Sequence, residues 1–179
     1  RMNGIDTNLV ATEYGRLGTY FLEQGNAGRA SRVTYDRLYS SISVLNELCW
    51  NLDEIFIDTD LLHISGILPA LSKKWQAWAV EVVRKAKEYG CYVSFDMNYR
   101  SKSYEEAYPC FQQILPYVDI LSAGRLDAIH FLQVATAEED VSLEEIYRRV
   151  KEKYANIKVL YSTKRNVIST NHHELQGFY

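Results

Sequence analysis

The segment SFDMNYR, residues 94–100, places three chemically capable side chains at alternate positions directly after an apolar run. Asp96, Asn98 and Arg100 project to one side of the chain if the backbone stays extended. A carboxylate and an amide suit Mg²⁺-bound water or phosphate oxygen, and an arginine binds a carboxylate or a phosphate through two parallel hydrogen bonds. The alternative is structural, with Asp96 capping a turn and Arg100 pairing with the acidic residues of YEE, residues 104–106. The spacing alone leaves both interpretations open.

The sequence around this segment predicts a strand, a helix and a second strand. The apolar run LLHISGI, residues 61–67, is followed by Ser72, which can cap a helix that Gly90 ends. The next strand is CYVSFD, residues 91–96. A connection of this size predicts parallel strands joined by a right-handed crossover. His63, on the first of these strands, is expected to be a core histidine.

The same alternation continues along the chain. It predicts a helix from Tyr104 to about Tyr117, a strand at 118–123, a helix around 126–132, a helix from Ser142 to Tyr154 and a strand at 157–163. This order predicts an α/β fold with helices on both faces of the sheet. Ligands of such sheets bind beyond the carboxyl ends of the strands. The positions that fall at such ends are Gly66, residues 96–100, residues 122–124 and Thr163.

The residues before this sheet have a different pattern. Two β-prone runs, Thr19–Glu23 and 32–37, flank a loop rich in small and polar residues, which predicts a β-hairpin. The alternation along both runs indicates one aromatic and charged face and a second face that packs.

Composition restricts the classes of function. The 179 residues suffice for one ordinary domain, and the net charge of -3 gives no electrostatic argument for nucleic acid. The longest apolar runs are too short to cross a membrane and no signal-peptide core is evident, so we expect a soluble, cytoplasmic protein. Three widely separated cysteines, Cys49, Cys91 and Cys110, suggest neither a disulfide framework nor a zinc site.

Four segments together resemble a known family. They are GRLGTYFLE at 15–23, RVTYDRLYSSIS at 32–43, HISGILPALS at 63–72 and DMNYRSKSY at 96–104. The chain resembles the ribokinase-like (PfkB) carbohydrate kinases, and among them it is most similar to the 2-keto-3-deoxygluconate kinases. The resemblance implies a ribokinase-like sandwich: a mostly parallel sheet flanked by helices, with a small β lid. It assigns residues 1–15 to the end of a preceding core segment, 16–45 to the lid hairpin and 46–179 to a partial α/β core.

The resemblance also implies roles for individual residues in the transfer of phosphate from ATP, with Mg²⁺, to a sugar acid. The residues that it places at the sugar are Tyr20, Tyr35, Arg37, Ile67 and Arg100. Two arginines are expected because the acceptor carries a carboxylate. The residues that it places toward Mg²⁺ and the phosphates are Asp96, Asn98 and Asp127. Thr163 is expected to border the nucleotide, and the exposed lid to join copies of the chain into a homo-oligomer.

The sequence departs from the family pattern at several places. The family's Asn-x-x-Glu motif corresponds here to Gly124 and Asp127, and of Thr-x-Gly-x-x-Gly only Thr163 is kept. The opening Gly-Gly motif and the closing Gly-Ala-Gly-Asp motif, which carries the catalytic aspartate, are both missing. We therefore expect the catalytic base to lie beyond the C-terminus, the chain to be the middle part of a larger kinase, and this part alone to be inactive. The alternatives are a kinase of the same family for another sugar, such as fructose or ribose, or a non-catalytic sugar-binding remnant.

Overall fold

The computed structural model describes residues 3–25, 29, 31–98, 104–169 and 172–179. Seven strands are described in this part of the chain: β1 Thr19–Glu23, β2 Arg32–Asp36, β3 Leu61–Ser65, β4 Tyr92–Asp96, β5 Ile120–Ser122, β6 Val159–Ser169 and β7 His172–Phe178. The α-helices described there are α1 Ser41–Val44, α2 Leu52–Phe56, α3 Lys73–Glu88, α4 Tyr104–Ile114, α5 Arg125–His130 and α6 Leu143–Lys153. A 3₁₀ turn follows α4 at Leu115–Tyr117.

The main sheet contains five strands in the order β3-β4-β5-β6-β7. Its first four strands are parallel and β7 is antiparallel to β6, so the predicted mostly parallel sheet is confirmed. In β4 the consecutive residues Val93, Ser94 and Phe95 are all buried. Because successive side chains of a strand point to opposite faces, both faces of the sheet are covered at its centre.

Helix α3 shows why the predicted helices form where they do. The Ser72 side chain accepts a hydrogen bond from the Trp75 backbone N–H and so caps the helix. The residues that α3 buries, Trp75, Ala79, Val83 and Ala86, recur at helical spacing. Gly90 has φ +78, a conformation that favours glycine, and ends the helical segment.

Helix α4 is shorter than the predicted helix at 104–117. The α-helix ends at Ile114, and Leu115–Tyr117 continues as a 3₁₀ turn. Pro116 has no backbone N–H to donate to residue 112, so the α-helical hydrogen-bond pattern stops there. Phe111 of α4 packs between Phe95 and Phe131, with ring centroids 5.0 and 4.5 Å away.

The hairpin is confirmed, but its burial differs from the prediction. β1 and β2 pair antiparallel with Tyr20 opposite Tyr35 and Leu22 opposite Val33. Every residue of both strands is exposed, so the prediction that one face packs was wrong. The cause is that no layer of the described chain covers either face of this two-stranded sheet. We call β1 and β2 the lid.

Two further features differ from the sequence expectations. β6 extends to Ser169 and, beyond the part that pairs with β5, forms an exposed antiparallel ribbon with β7. His63 is exposed and not a core histidine, because β3 pairs on only one side among the described residues. Its Nδ1 lies 3.0 Å from the Ser94 hydroxyl.

The cysteines and the helix lengths bear on the type of protein. All three cysteines are free, with Cys91 and Cys110 buried and Cys49 exposed. In the described ranges, each helix is too short or too polar to serve as a membrane span.

Candidate active site

The carboxyl ends of the parallel strands meet at one edge of the sheet. The backbone N–H of Gly66 donates to Asp96 O at 2.8 Å, and that of Met97 donates to Ser122 O at 3.2 Å. These bonds continue the register in which Ser65, Asp96 and Ser122 are aligned. The predicted convergence of strand ends is therefore confirmed, and we call this region the strand-end cluster.

Gly66 allows the chain to turn tightly inside this cluster. A Cβ at this position would lie 2.1 Å from Met97 O and 2.6 Å from Phe111 Cζ. Such distances exclude any side chain, so only glycine fits without displacing the backbone of the β4 end. Ile67 follows at the same strand end and is half-buried, and its position at the sugar stays a prediction.

The backbone after β4 is not extended, which corrects the predicted alternation of three polar side chains. β4 ends at Asp96, and Asn98 has φ +46. Asparagine adopts this left-handed conformation more readily than most residues. Asn98 Nδ2 approaches Ser65 Oγ at 3.4 Å, and Asp96 is half-buried beside it. Arg100 lies outside the described residues, so its position stays a prediction.

Three of the predicted sugar-binding residues come together on the lid. The ring centroids of Tyr20 and Tyr35 are 6.4 Å apart. The guanidinium carbon of Arg37 lies 4.3 Å from the centroid of the Tyr35 ring, which is within range of a cation–π interaction. Tyr20 is 66% exposed and Tyr35 is 49% exposed, so a ligand can reach both rings. We call Tyr20, Tyr35 and Arg37 the lid cluster.

Arg16 is a residue of this region that the sequence analysis did not identify. Its guanidinium binds the Asp36 carboxylate and the Leu38 carbonyl, the two residues that flank Arg37. More than 20 positions separate Arg16 from Leu38, so no local pattern relates the two residues. The signal in the sequence is a charged side chain at the second position of the segment GRLG, residues 15–18.

A groove of about 1050 Å³ lies beside α6 and the end of the parallel part of β6. Thr163 and Gly124 both line it, together with Lys164, Arg165 and Ser142. We call it the α6 groove. Its size is sufficient for a ligand as large as a nucleotide. Three of its lining residues are cationic and two are acidic: Arg125, Lys164 and Arg165, and Asp140 and Glu144. Thr163 therefore lines a cavity, and its position beside a nucleotide stays a prediction.

Arg125 supports one wall of the α6 groove. Its guanidinium donates to the backbone carbonyls of Glu139 and Val141, which precede the Ser142 cap of α6. Glu139 in turn accepts from Arg149 and from the Thr136 backbone N–H. The Thr136 hydrogen bond and Arg149 hold the pKa of Glu139 below its usual range. These contacts fix the segment before α6 against the start of α5.

Asp127 has a structural contact that the sequence pattern did not predict. Its Oδ2 accepts a hydrogen bond from the Gly124 backbone N–H at 2.8 Å, which caps α5. The side chain is buried. Capping accounts for this carboxylate locally, and its predicted orientation toward phosphates stays a prediction. Among the residues that the structure describes, no three or more His, Cys, Asp or Glu side chains lie close enough together to hold a metal ion.

Comparison with known proteins identifies the family. The family model described as pfkB family carbohydrate kinase matches residues 1–175. A 2-dehydro-3-deoxygalactonokinase of Haloferax volcanii is 34% identical over 131 residues, covering 71% of this chain and 40% of that relative.

Two crystal structures give the same result. A PfkB family carbohydrate kinase from Listeria grayi has TM-score 0.83 and 45% identity, covering 92% of this chain and 51% of that one. The 2-dehydro-3-deoxygluconokinase of Thermotoga maritima has TM-score 0.87 and 32% identity, covering 98% and 54%. The chain thus spans about half the length of these relatives.

Proposed function

Since the chain belongs to the pfkB family of carbohydrate kinases, we propose that it acts, in its complete gene product, in ATP-dependent phosphorylation of 2-keto-3-deoxygluconate to the 6-phospho form. The observation that carries this proposal is the lid cluster. It presents a guanidinium stacked on one tyrosine beside a second tyrosine, all accessible to a ligand. This is an arrangement for an acidic, hydroxyl-rich small molecule.

The charge of Arg37 favours a sugar acid over a neutral sugar. A guanidinium pairs with a carboxylate through two parallel hydrogen bonds, whereas a neutral sugar offers only hydroxyl groups. Two relatives that share about a third of their aligned residues with this chain are named for acidic 2-keto-3-deoxy sugars. Those names differ in the sugar acid, so the carboxylate is the feature common to both. We assign Arg37 to that carboxylate, with Tyr20, Tyr35 and Ile67 around the sugar and Arg100 as the second arginine.

The strand-end cluster and the α6 groove supply the phosphate side of the proposed reaction. Asp96 and Asn98 offer carboxylate and amide oxygens, which are the hard donors that Mg²⁺ and its waters prefer. We assign them, with Asp127, to the metal and phosphate side, and Thr163 to the nucleotide in the α6 groove. Mg²⁺, when bound with ATP, neutralises charge on the transferred phosphoryl group. The chain's own residues orient the two substrates, which is the main requirement of phosphoryl transfer.

The catalytic base is proposed to come from outside residues 1–179. The Gly-Ala-Gly-Asp segment to which the resemblance assigns the base does not occur in these residues. A carboxylate that accepts the hydroxyl proton is a standard part of such reactions. We therefore propose that residues 1–179 alone do not turn over sugar acid and Mg-ATP. The division into residues 1–15, 16–45 and 46–179 is likewise proposed from the resemblance.

An acceptor screen tests the proposed function. The complete gene product that contains these residues is supplied with Mg-ATP and 2-keto-3-deoxygluconate, fructose or ribose, and residues 1–179 alone are assayed beside it. We expect selective phosphorylation of the sugar acid by the complete product and no turnover by the shorter chain. In the complete product, Arg37→Ala should lower kcat/KM for the sugar acid on the order of ten- to hundredfold, the effect of losing one charge-assisted contact.

The matched control is Arg29→Ala. Arg29 is an exposed arginine of the loop between β1 and β2, and its guanidinium lies 3.9 Å from the Glu23 carboxylate, away from the lid cluster. Its removal should leave kcat/KM unchanged. Preferred turnover of fructose or ribose would replace the sugar-acid proposal by a kinase for a neutral sugar. Absence of turnover with every acceptor would favour a sugar-binding protein without catalysis.

A further inference from the structure

Arg16 and residues 36–41 lie together where the chain enters and leaves the lid, and we call them the neck of the lid; the Arg16 guanidinium makes four hydrogen bonds there. Arg16 Nη1 and Nη2 donate to the two Asp36 carboxylate oxygens at 3.0 and 2.5 Å. Its Nε and Nη2 also donate to Leu38 O at 3.0 and 2.5 Å. Arg16 therefore binds the residue before Arg37 and the residue after it. A bidentate pair of this kind fixes orientation as well as distance.

The backbone of Arg37 is fixed from a second direction. Its carbonyl accepts from the Ser40 backbone N–H at 3.1 Å and from the Ser40 hydroxyl at 2.7 Å. Ser40 is fully buried, in contrast to the exposed strands of the lid. The Ser41 backbone N–H donates to Arg16 O at 3.0 Å, so both sets of contacts meet at the same point of the chain.

Arg16 also pairs with the negative charge of Asp36, the residue next to Arg37. Asp36 is the neighbour of Arg37 in sequence, and its side chain carries the same anionic group, a carboxylate, that the proposed acceptor presents to Arg37. Arg16 uses both oxygens of the Asp36 carboxylate. The Arg37 guanidinium instead lies over the Tyr35 ring, where a ligand can reach it.

From these contacts we propose that Arg16 is a positioning residue: it neutralises Asp36 and fixes the backbone around Arg37 so that Arg37 is available to the acceptor's carboxylate. The proposal rests on the proposed function, in which Arg37 binds a sugar acid. Arg16 itself touches no substrate in this scheme. A purely structural ion pair would behave differently, since exposed pairs have little effect on stability and none on one substrate alone.

The test is a double-mutant cycle in the complete gene product. The single variants are Arg16→Lys, Arg16→Ala and Arg37→Ala, and the double variant combines Arg16→Lys and Arg37→Ala. Arg29→Ala, in the loop between β1 and β2, is the control. Lysine keeps the charge but cannot bind Asp36 and Leu38 with a planar fork. We expect Arg16→Lys to raise KM for the sugar acid on the order of tenfold and to leave KM for ATP unchanged. With Arg37 already removed, Arg16→Lys should have no further effect.

Other results would overturn the inference. These are an unchanged sugar-acid KM in both Arg16 variants, an equal rise in KM for ATP, or losses that multiply in the double variant. The thermal midpoint of each variant is measured alongside, and Arg16→Lys decides the outcome if Arg16→Ala does not fold.

The experiments distinguish a failure of the proposed function from a failure of the proposed role of Arg16. If the wild type phosphorylates only a neutral sugar, the proposed function is wrong, and the cycle is run with that sugar. Non-additive losses would then still support positioning of Arg37 by Arg16, and multiplied losses would reject it.

Discussion

Asp119 is a buried carboxylate at the end of the sheet opposite the candidate site, where it contacts α3, β4 and the residue before β6. It accepts from Lys87 Nζ at 2.7 Å and from the Val93 backbone N–H at 2.9 Å, and Lys158 Nζ lies 3.1 Å away. Burial acts to raise the pKa of Asp119, but these donors outweigh it and hold the pKa below its ordinary value of 3.8.

This pKa direction predicts a pH dependence of stability. A carboxyl group whose pKa is lower in the folded state stabilises the fold above its unfolded-state pKa, and the stabilisation is lost as pH falls through the folded-state pKa. The wild type should therefore lose stability below about pH 4. Asp119→Asn should be less stable at pH 7, on the order of 1–3 kcal/mol, and the difference should shrink as the pH is lowered. Urea unfolding at several pH values measures this.

Glu47→Gln, at an exposed carboxylate, is the control and should follow the wild type. A constant gap between Asp119→Asn and the wild type from pH 7 to pH 3 would contradict the ionic explanation.

For single residues, the sequence predicted position along the strands better than backbone conformation and side-chain contacts. The types and spacing of Asp96 and Asn98 placed them at a strand end, which the structure confirms. The left-handed φ of Asn98 could not be inferred, because it depends on how the chain turns beside Ser65 and Gly66. The contact between Arg16 and Asp36 was also hidden, because it depends on the return of the hairpin to its starting point.

At the scale of the elements, local signals were sufficient wherever a cap and an apolar stripe coincide. Helices α3 and α6 begin after the serines predicted to cap them, Ser72 and Ser142. The short helices α1 and α2 were not predicted, since four or five residues carry too little periodicity. The extension of β6 was missed because its outer part is held by pairing with β7 and not by burial.

The cap of α3 is open to a direct test. Ser72→Ala removes the acceptor for the Trp75 N–H and should reduce the free energy of unfolding by about 1 kcal/mol. Ser72→Gly should cost only a few tenths of that amount, because glycine exposes the N–H to water. Urea denaturation curves of the two variants and the wild type measure the difference. Equal losses in both variants would show that Ser72 acts through packing and not through its hydroxyl.

On the scale of the whole molecule, burial is concentrated around β4 and β5. Their central residues are buried, whereas β1, β2 and the outer parts of β6 and β7 are exposed. On the lid, Leu22 and Val33 extend the accessible face of Tyr20 and Tyr35. We propose that the lid joins copies of the chain in a homo-oligomer through Leu22 and Val33, the aliphatic part of this face, which leaves the lid cluster to the sugar; exposed apolar side chains of this kind are typical of protein interfaces.

Hydrogen exchange combined with sedimentation tests this proposal. At low protein concentration the amides of β4 should exchange far more slowly than those of β1 and β2, since exchange follows local burial. At high concentration, association should raise the protection of the lid and the sedimentation coefficient together. Leu22→Lys should abolish both changes, whereas Val167→Lys, on the exposed ribbon, should not. A lid whose protection is independent of concentration would argue against the interface.

The closed neck of the lid also has an evolutionary consequence. Because Arg16 and Ser41 are joined by a backbone hydrogen bond, the polypeptide leaves for the lid and returns at nearly one point. Insertions, deletions or a complete exchange of the hairpin therefore need not stretch the segments on either side. The residues proposed to select the acceptor lie mostly on this removable module, and those proposed for the phosphates lie in the core, on or just after the sheet strands and on α5. A fold divided in this way can acquire a new acceptor by lid replacement while its phosphate-handling residues stay unchanged.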